Sequence, residues 1–183
     1  RLFLYILPYF LTIPAIVFYF LIANQKKFFF KSYMIASLLL FIFYLYNFIS
    51  ITPYHYTYLN IFAGKFSNAD TKFENDYWGI SLKELTKKMV KNDKIKNLDF
   101  IKFSICGVSK HIVKYNLDKT KPKLNYRIVN EEEKPNFIIM TNRLVKIQSD
   151  KENNYKTCFE KYKGESIISV ERKDLKLSTV KKF

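Results

Sequence analysis

YMIASLLLFIFYLYNFISI, from Tyr33 to Ile51, is an uncharged run of about 19 residues, close to the roughly 20 that carry a helix across a bilayer. Upstream, Leu2 to Ala23 forms a second apolar run of about 22 residues. All 16 acidic residues lie beyond Thr52, and the first 51 positions carry only Arg1, Lys26, Lys27 and Lys31 as charges. A carboxylate in hydrocarbon is costly, so an acid-free apolar segment reads as bilayer and the mixed-charge remainder as a water-exposed domain. The expected fold is therefore a membrane α-helical hairpin of two transmembrane helices (2–23 and 33–51), followed by a small α/β domain. Pro8 and Pro14 would disrupt a soluble helix but are tolerated in a membrane span, where a kink is expected. A cleaved signal peptide is the competing reading, but its apolar core is shorter and no Ala-x-Ala-like site precedes the second run.

The link 24–32 holds three lysines, whereas Thr52 to Gly64 holds none and carries Tyr54, Tyr56 and Tyr58. The positive-inside rule puts the lysine loop in the cytoplasm, and tyrosines favour the headgroup layer, so the domain is expected to be extracytoplasmic. Past Thr52 the net charge is +11, from 27 basic and 16 acidic residues. A nucleic-acid partner is not expected, because the lysines are scattered, arginine is scarce and no recognition motif accompanies them. Most of these lysines read as a solvated face, with a few near the membrane able to meet lipid phosphates. Cys106 and Cys158 are expected as two buried free thiols rather than a pair, since sequence alone cannot bring their Cα atoms together. Neither has a histidine at metal-site spacing. The chain opens at Arg1, without an initiator Met and almost directly on an apolar run, which leads to the expectation of a longer protein upstream.

Residues 52–80 form an aromatic junction, and 81–183 read as the α/β domain. Ser81-Leu82-Lys83-Glu84 fits a capping box, with Ile80 and Leu85 as a hydrophobic staple. Leu82, Leu85 and Met89 then fall on one stripe, with Lys83, Lys87, Lys88 and Lys91 facing away, in a helix expected to end near Asn92. Leu98 to Cys106 reads as a buried strand that turns at Gly107, and a helix is expected from Ser109 to Leu117. Strands follow around Leu124 to Ile128 and Phe137 to Met140, with a charged loop between them. Asn153 to Lys161 leans towards helix. Ser166 to Glu171 and Leu175 to Val180 form a C-terminal β-hairpin about the turn Arg172-Lys173-Asp174.

Nucleotide and hydrolase signatures are absent, and the four glycines are too dispersed to cradle a phosphate. His111 reads as an ordinary packed or surface histidine. Asp70, Glu74 and Asp76, interleaved with Lys65 and Lys72, read as a solvated loop. The junction offers Tyr54, His55, Tyr58, Asn60, Asp76, Tyr77 and Trp78. Aromatic faces beside Asn, Asp and His suit a sugar, while the plainer reading is an interfacial anchor, which physical reasoning alone favours.

Taken together, T-P-Y-H-Y-T-Y-L-N (52–60), a Gly four residues later and F-E-N-D-Y-W-G-I-S-L-K-E-L (73–85) resemble the segment after the last span of bacterial polyprenyl-phosphate-sugar-dependent membrane glycosyltransferases, the superfamily of protein mannosyltransferases and the lipid A aminoarabinose transferase. Pro135 to Ile139 and Gly164 to Val180 resemble that family's closing strand and hairpin, although Asn136, Asp174 and Lys65 depart from its usual residues. The resemblance implies a multi-pass enzyme of the bacterial plasma (inner) membrane with its C-terminal domain in the periplasm. It further implies a polyprenyl-phosphate-linked sugar donor, a glycan, lipid or protein acceptor, and contact with membrane lipid. Its acidic catalytic residue would lie upstream of Arg1, so no catalytic residue, metal ligand or cofactor is expected within this chain. The seven junction residues would brace the joint or line the edge of the donor site, bracing being preferred. The alternative from another class is a non-enzymatic, membrane-tethered module that binds glycan or protein.

Overall fold

The computed structural model describes residues 7–23, 27–57, 76, 78–146 and 155–183. It divides into two compact units, Arg1–Ile49 and Ser50–Phe183.

The first unit contains α1 (Leu7–Ala23) and most of α2 (Lys27–Ile51). Helix α1 runs through Pro14, whose carbonyl accepts a hydrogen bond from the Tyr33 hydroxyl at 3.1 Å, and Phe18 packs against Phe30 and Tyr33. Apolar side chains along α2 are largely exposed. Asn47 of this helix is buried and donates to the Phe43 carbonyl at 2.8 Å. Phe28–Ile51 is long and apolar enough to cross a membrane. The expected first span, Leu2 to Ala23, falls partly outside the described residues, of which α1 covers Leu7–Ala23. Helix α2 also starts at Lys27 rather than at Tyr33, because nothing between Lys27 and Tyr33 breaks a helix. Lys27 and Lys31 thus belong to its first turns and not to a loop.

The second unit is a small α/β domain. Its main sheet is built from β1 (Ile101–Cys106), β2 (Tyr126–Ile128), β3 (Phe137–Thr141), and two strands that pair near the C-terminus, Ser166–Arg172 and Leu175–Lys182. Between β3 and that pair lies a separate two-stranded ribbon, β4 (Leu144–Lys146) with β5 (Tyr155–Thr157), so the C-terminal strands are β6 and β7. The sheet order is β2-β1-β3-β7-β6, parallel across β2, β1 and β3 and antiparallel from β3 to β6. The parallel step from β1 to β2 is bridged by a helix, as such a crossover requires. This is α5 (Lys110–Lys119), which follows α3 (Leu82–Met89) and the single turn α4 (Asp93–Lys96).

Strand β3 is buried along its whole length, which explains its unbroken apolar run. Its Phe137 and Ile139 join Ile101 and Phe103 of β1 in the main core, with Leu82, Leu85 and Met89 of α3 and Val113 and Leu117 of α5. On the other face Ile138 and Met140 pack with Cys106 and Cys158. These two cysteines form a disulfide, with Cα atoms 5.8 Å apart across a sequence separation of 52, so the expectation of free thiols is corrected. The approach is made possible by Gly107 (φ +79°), where a Cβ would meet the Thr141 carbonyl oxygen at 2.8 Å and the Cys158 sulfur at 2.9 Å.

Local signals misled at two further places. The segment 155–161 is a strand followed by the single turn α6 (Cys158–Lys161), since Leu144 to Lys146 supplies a partner strand and Thr157 caps the helix with Glu160. The S-x-x-E box at Ser81 is not formed: Ser81 makes no side-chain cap and Ile80 stays half exposed. Both of the box's polar side chains are engaged by distant residues instead.

Candidate functional site

Within the second unit, the chain that follows Ile51 meets the start of α3 through a tyrosine–carboxylate network. Ile51 and Tyr54 are buried in the main core, and residues His55–Thr57 form a 3-10 turn. That turn sets the rings of Tyr54 and Tyr56 edge to face, 6.4 Å apart. Each phenol reaches one carboxylate.

The first carboxylate is Glu84. Tyr54 donates to its Oε2 at 2.8 Å and Arg172 Nη2 donates to the same oxygen at 2.6 Å, while Lys88 lies 3.2 Å from Oε1. Arg172 also donates through Nε to the Thr52 carbonyl at 3.2 Å, and its guanidinium lies 5.0 Å from the centre of the Tyr54 ring. One arginine therefore links the chain after α2, the core tyrosine and α3. Arg172 is delivered by the end of β6, where a two-residue turn, Lys173-Asp174 with both φ positive, holds the hairpin. Burial opposes ionisation of Glu84, but the bonds from Arg172, Tyr54 and Lys88 outweigh it and hold its carboxyl below the usual range.

The second is Asp76, only 1% exposed. It accepts from Ile80 N at 2.8 Å and Ser81 N at 3.1 Å, and it receives the Tyr56 and Ser81 hydroxyls as well. Ser81 Oγ is in turn hydrogen-bonded to Ser178 Oγ of β7 at 2.6 Å. Asp76 sits at φ +51°, a conformation Asp tolerates, and its carbonyl accepts from Gly79 N at 2.8 Å, closing the Asp76-to-Gly79 turn. Gly79 itself has φ +64°, and a Cβ there would lie 2.9 Å from Val108 and 3.0 Å from Leu82. The turn thus delivers Asp76 to the amides of Ile80 and Ser81, the two residues that lead into α3. Desolvation pushes the Asp76 carboxyl above its ordinary value, and its donors pull it back without cancelling that rise. Burial and the adjacent carboxylates push both phenols up as well, so Tyr54 and Tyr56 remain hydrogen-bond donors throughout the physiological range.

Of the expected site residues, Tyr54 and Asp76 are buried in this network, His55 is half-buried in the 3-10 turn, and Trp78 is 68% exposed. Tyr58, Asn60 and Tyr77 lie outside the described residues, as do Asp70 and Glu74. Reading Asp76 as part of a solvated acidic loop is corrected, because four donors enclose it. The four donors, two on each oxygen, occupy the acceptor sites of this carboxylate. Sequence reasoning missed Tyr56 as its partner, Glu84 as a tertiary hub and Ser178, and it placed Arg172 in the hairpin turn, whereas Arg172 ends β6 and bonds Glu84. The one available signal for Arg172 was its rarity, as one of four arginines among 31 basic residues. Among the described residues no three His, Cys, Asp or Glu side chains gather as metal ligands. Comparison with family models, curated proteins and solved structures finds no match for this chain.

Proposed function

We propose that this chain is the C-terminal part of an integral membrane glycosyltransferase that passes a sugar from a polyprenyl-phosphate donor to an extracytoplasmic acceptor. Its two apolar segments anchor the α/β domain outside the cytoplasm in a bacterial plasma membrane, and the junction braces the domain rather than performing the chemistry. The observation that carries this reading is the pairing of the two stretches that bear the family resemblance: Tyr54 with Glu84, and Tyr56 with Asp76. Residues of 52–57 and 76–85 thus form one hydrogen-bonded unit, as a motif selected for a shared structural task would. The Cys106–Cys158 disulfide supports an oxidising compartment for the domain.

In such a transfer a carboxylate takes the acceptor proton while positive charge supports the leaving phosphate. Asp76 and Glu84 are both engaged internally, so these roles fall to groups elsewhere in the full-length enzyme. The same engagement favours a second reading, a membrane-tethered module that binds glycan or protein without catalysis. A transfer assay on membranes carrying the full-length protein, with a labelled polyprenyl-phosphate sugar, separates the two. The proposal expects transfer, with Asp76→Asn lowering the amount of folded enzyme but not the activity per folded molecule. No transfer from any such donor would favour the tethered module.

A further inference from the structure

Beside the junction, α3 and the end of α5 enclose a groove of about 610 Å³ lined by Lys83, Lys87, Lys91, Lys119 and Lys121, with no carboxylate among its lining residues. Lys83 and Lys87 lie four residues apart on α3, a spacing at which like charges repel along a helix, and Lys91 follows just past its end. The pair on α3 therefore weakens it unless something anionic covers it. Tyr115 and Asn116 line this groove and also a neighbouring, largely apolar hollow formed with Trp78, Ile80 and Ile112. Trp78 is 68%, Tyr115 58% and Ile80 50% exposed. The Lys119 ammonium lies over the Tyr115 ring, 4.2 Å from its centre, which ties the cationic and aromatic parts together. Both parts stand on firm supports, since the turn bearing Trp78 is fixed by Asp76 and the helices are anchored in the main core.

We infer that this joined surface, an aromatic wedge rimmed by lysines, seats the second unit on an anionic lipid surface. Tryptophan and tyrosine with apolar neighbours suit the headgroup layer, and lysines beside them match lipid phosphates. The occupant is identified by charge complementarity and by chain continuity, because this unit begins at Ser50, within the apolar helix long enough to span a membrane. The inference rests on the membrane-anchored part of the proposed function and not on sugar transfer.

Trp78 is the chain's one tryptophan, so its fluorescence reads the surface directly. The full chain is reconstituted into vesicles of phosphatidylcholine alone, or of phosphatidylcholine with phosphatidylglycerol, each containing lipids brominated on the acyl chain. Flotation reports anchoring, and Trp78 quenching reports docking. We expect bromine quenching and protection from aqueous acrylamide in the anionic vesicles, both reduced by high salt. Neutralising Lys83, Lys87 and Lys91 to Gln should shift the docking equilibrium by roughly a hundredfold towards the undocked form. These lysines are exposed, so the fold is expected to survive, and circular dichroism checks it. A chain that floats while Trp78 stays open to acrylamide and unquenched by bromine overturns the docking surface alone. Quenching that is equal in both vesicles and unchanged in the triple variant also overturns it. Failure to float overturns the anchoring beneath it.

Discussion

Glu84 and Asp76 do the same mechanical task from opposite ends of one junction, yet their surroundings treat charge in opposite ways. Glu84 is partly exposed and faces Arg172 and Lys88, so its carboxyl is held low. Asp76 is enclosed by two hydroxyls and two backbone amides, and burial drives its carboxyl up. Donors alone do not replace a cation when water has been removed. The Glu84 end is consequently an electrostatic clamp, whereas the Asp76 end is a hydrogen-bonded lock whose stability depends on every donor being in place.

The largest expected effect breaks the lock. Asp76→Asn places an amide N–H against the backbone N–H of Ile80 or Ser81, just before α3, and should cost about 3–4 kcal/mol, read as a lowered unfolding midpoint of the full chain in detergent. Next comes the clamp: Arg172→Ala should cost about 2 kcal/mol, less than a fully buried pair because the site is partly wet. Arg172→Lys should restore less than half of that, since a point charge cannot reach Glu84 and the Thr52 carbonyl together. Tyr56→Phe removes one donor and should cost about 1 kcal/mol, while raising the Asp76 carboxyl further.

A smaller signal is expected from pH, and here the two ends should part. Glu84 is held below its ordinary 4.5, so its contribution is complete above that value and is lost as pH falls through its folded value. Asp76 is raised above 3.8, so its contribution is complete below that value and is lost as pH rises through its folded value. Unfolding midpoints measured across the acid range should therefore show Glu84→Gln flattening the acid-side loss and Asp76→Asn removing the opposing slope. Identical profiles for the two variants would erase the distinction. Least affected should be Trp78→Ala, within about 0.5 kcal/mol, because the indole is 68% exposed.

Sequence patterns pointed to α3 through the helical period of Leu82, Leu85 and Met89, and to β1, β3 and the β6–β7 pair through short apolar runs bounded by turn residues. They failed where a partner is distant. Glu84 and Arg172 are 88 positions apart and the cysteines 52, so no local spacing announces either contact. At Ser81 the local signal was present and was overridden, because Asp76 and Ser178 bind the hydroxyl and Arg172 draws Glu84 away from the helix start. The three-residue strands β4 and β5 are too short to show a period at all. The aromatic junction was visible as a composition, but composition alone cannot separate the buried Tyr54 and Asp76 from the exposed Trp78.

The proposed function requires α2 to hold this disulfide-bonded domain outside the cytoplasm. A reporter that is active only in an oxidising compartment, fused after Phe183 of the full-length protein, tests it most directly. An active reporter is expected, together with Cys106 and Cys158 closed to thiol reagents until reduction. An inactive reporter, with both thiols labelled in the cytosol, would contradict it.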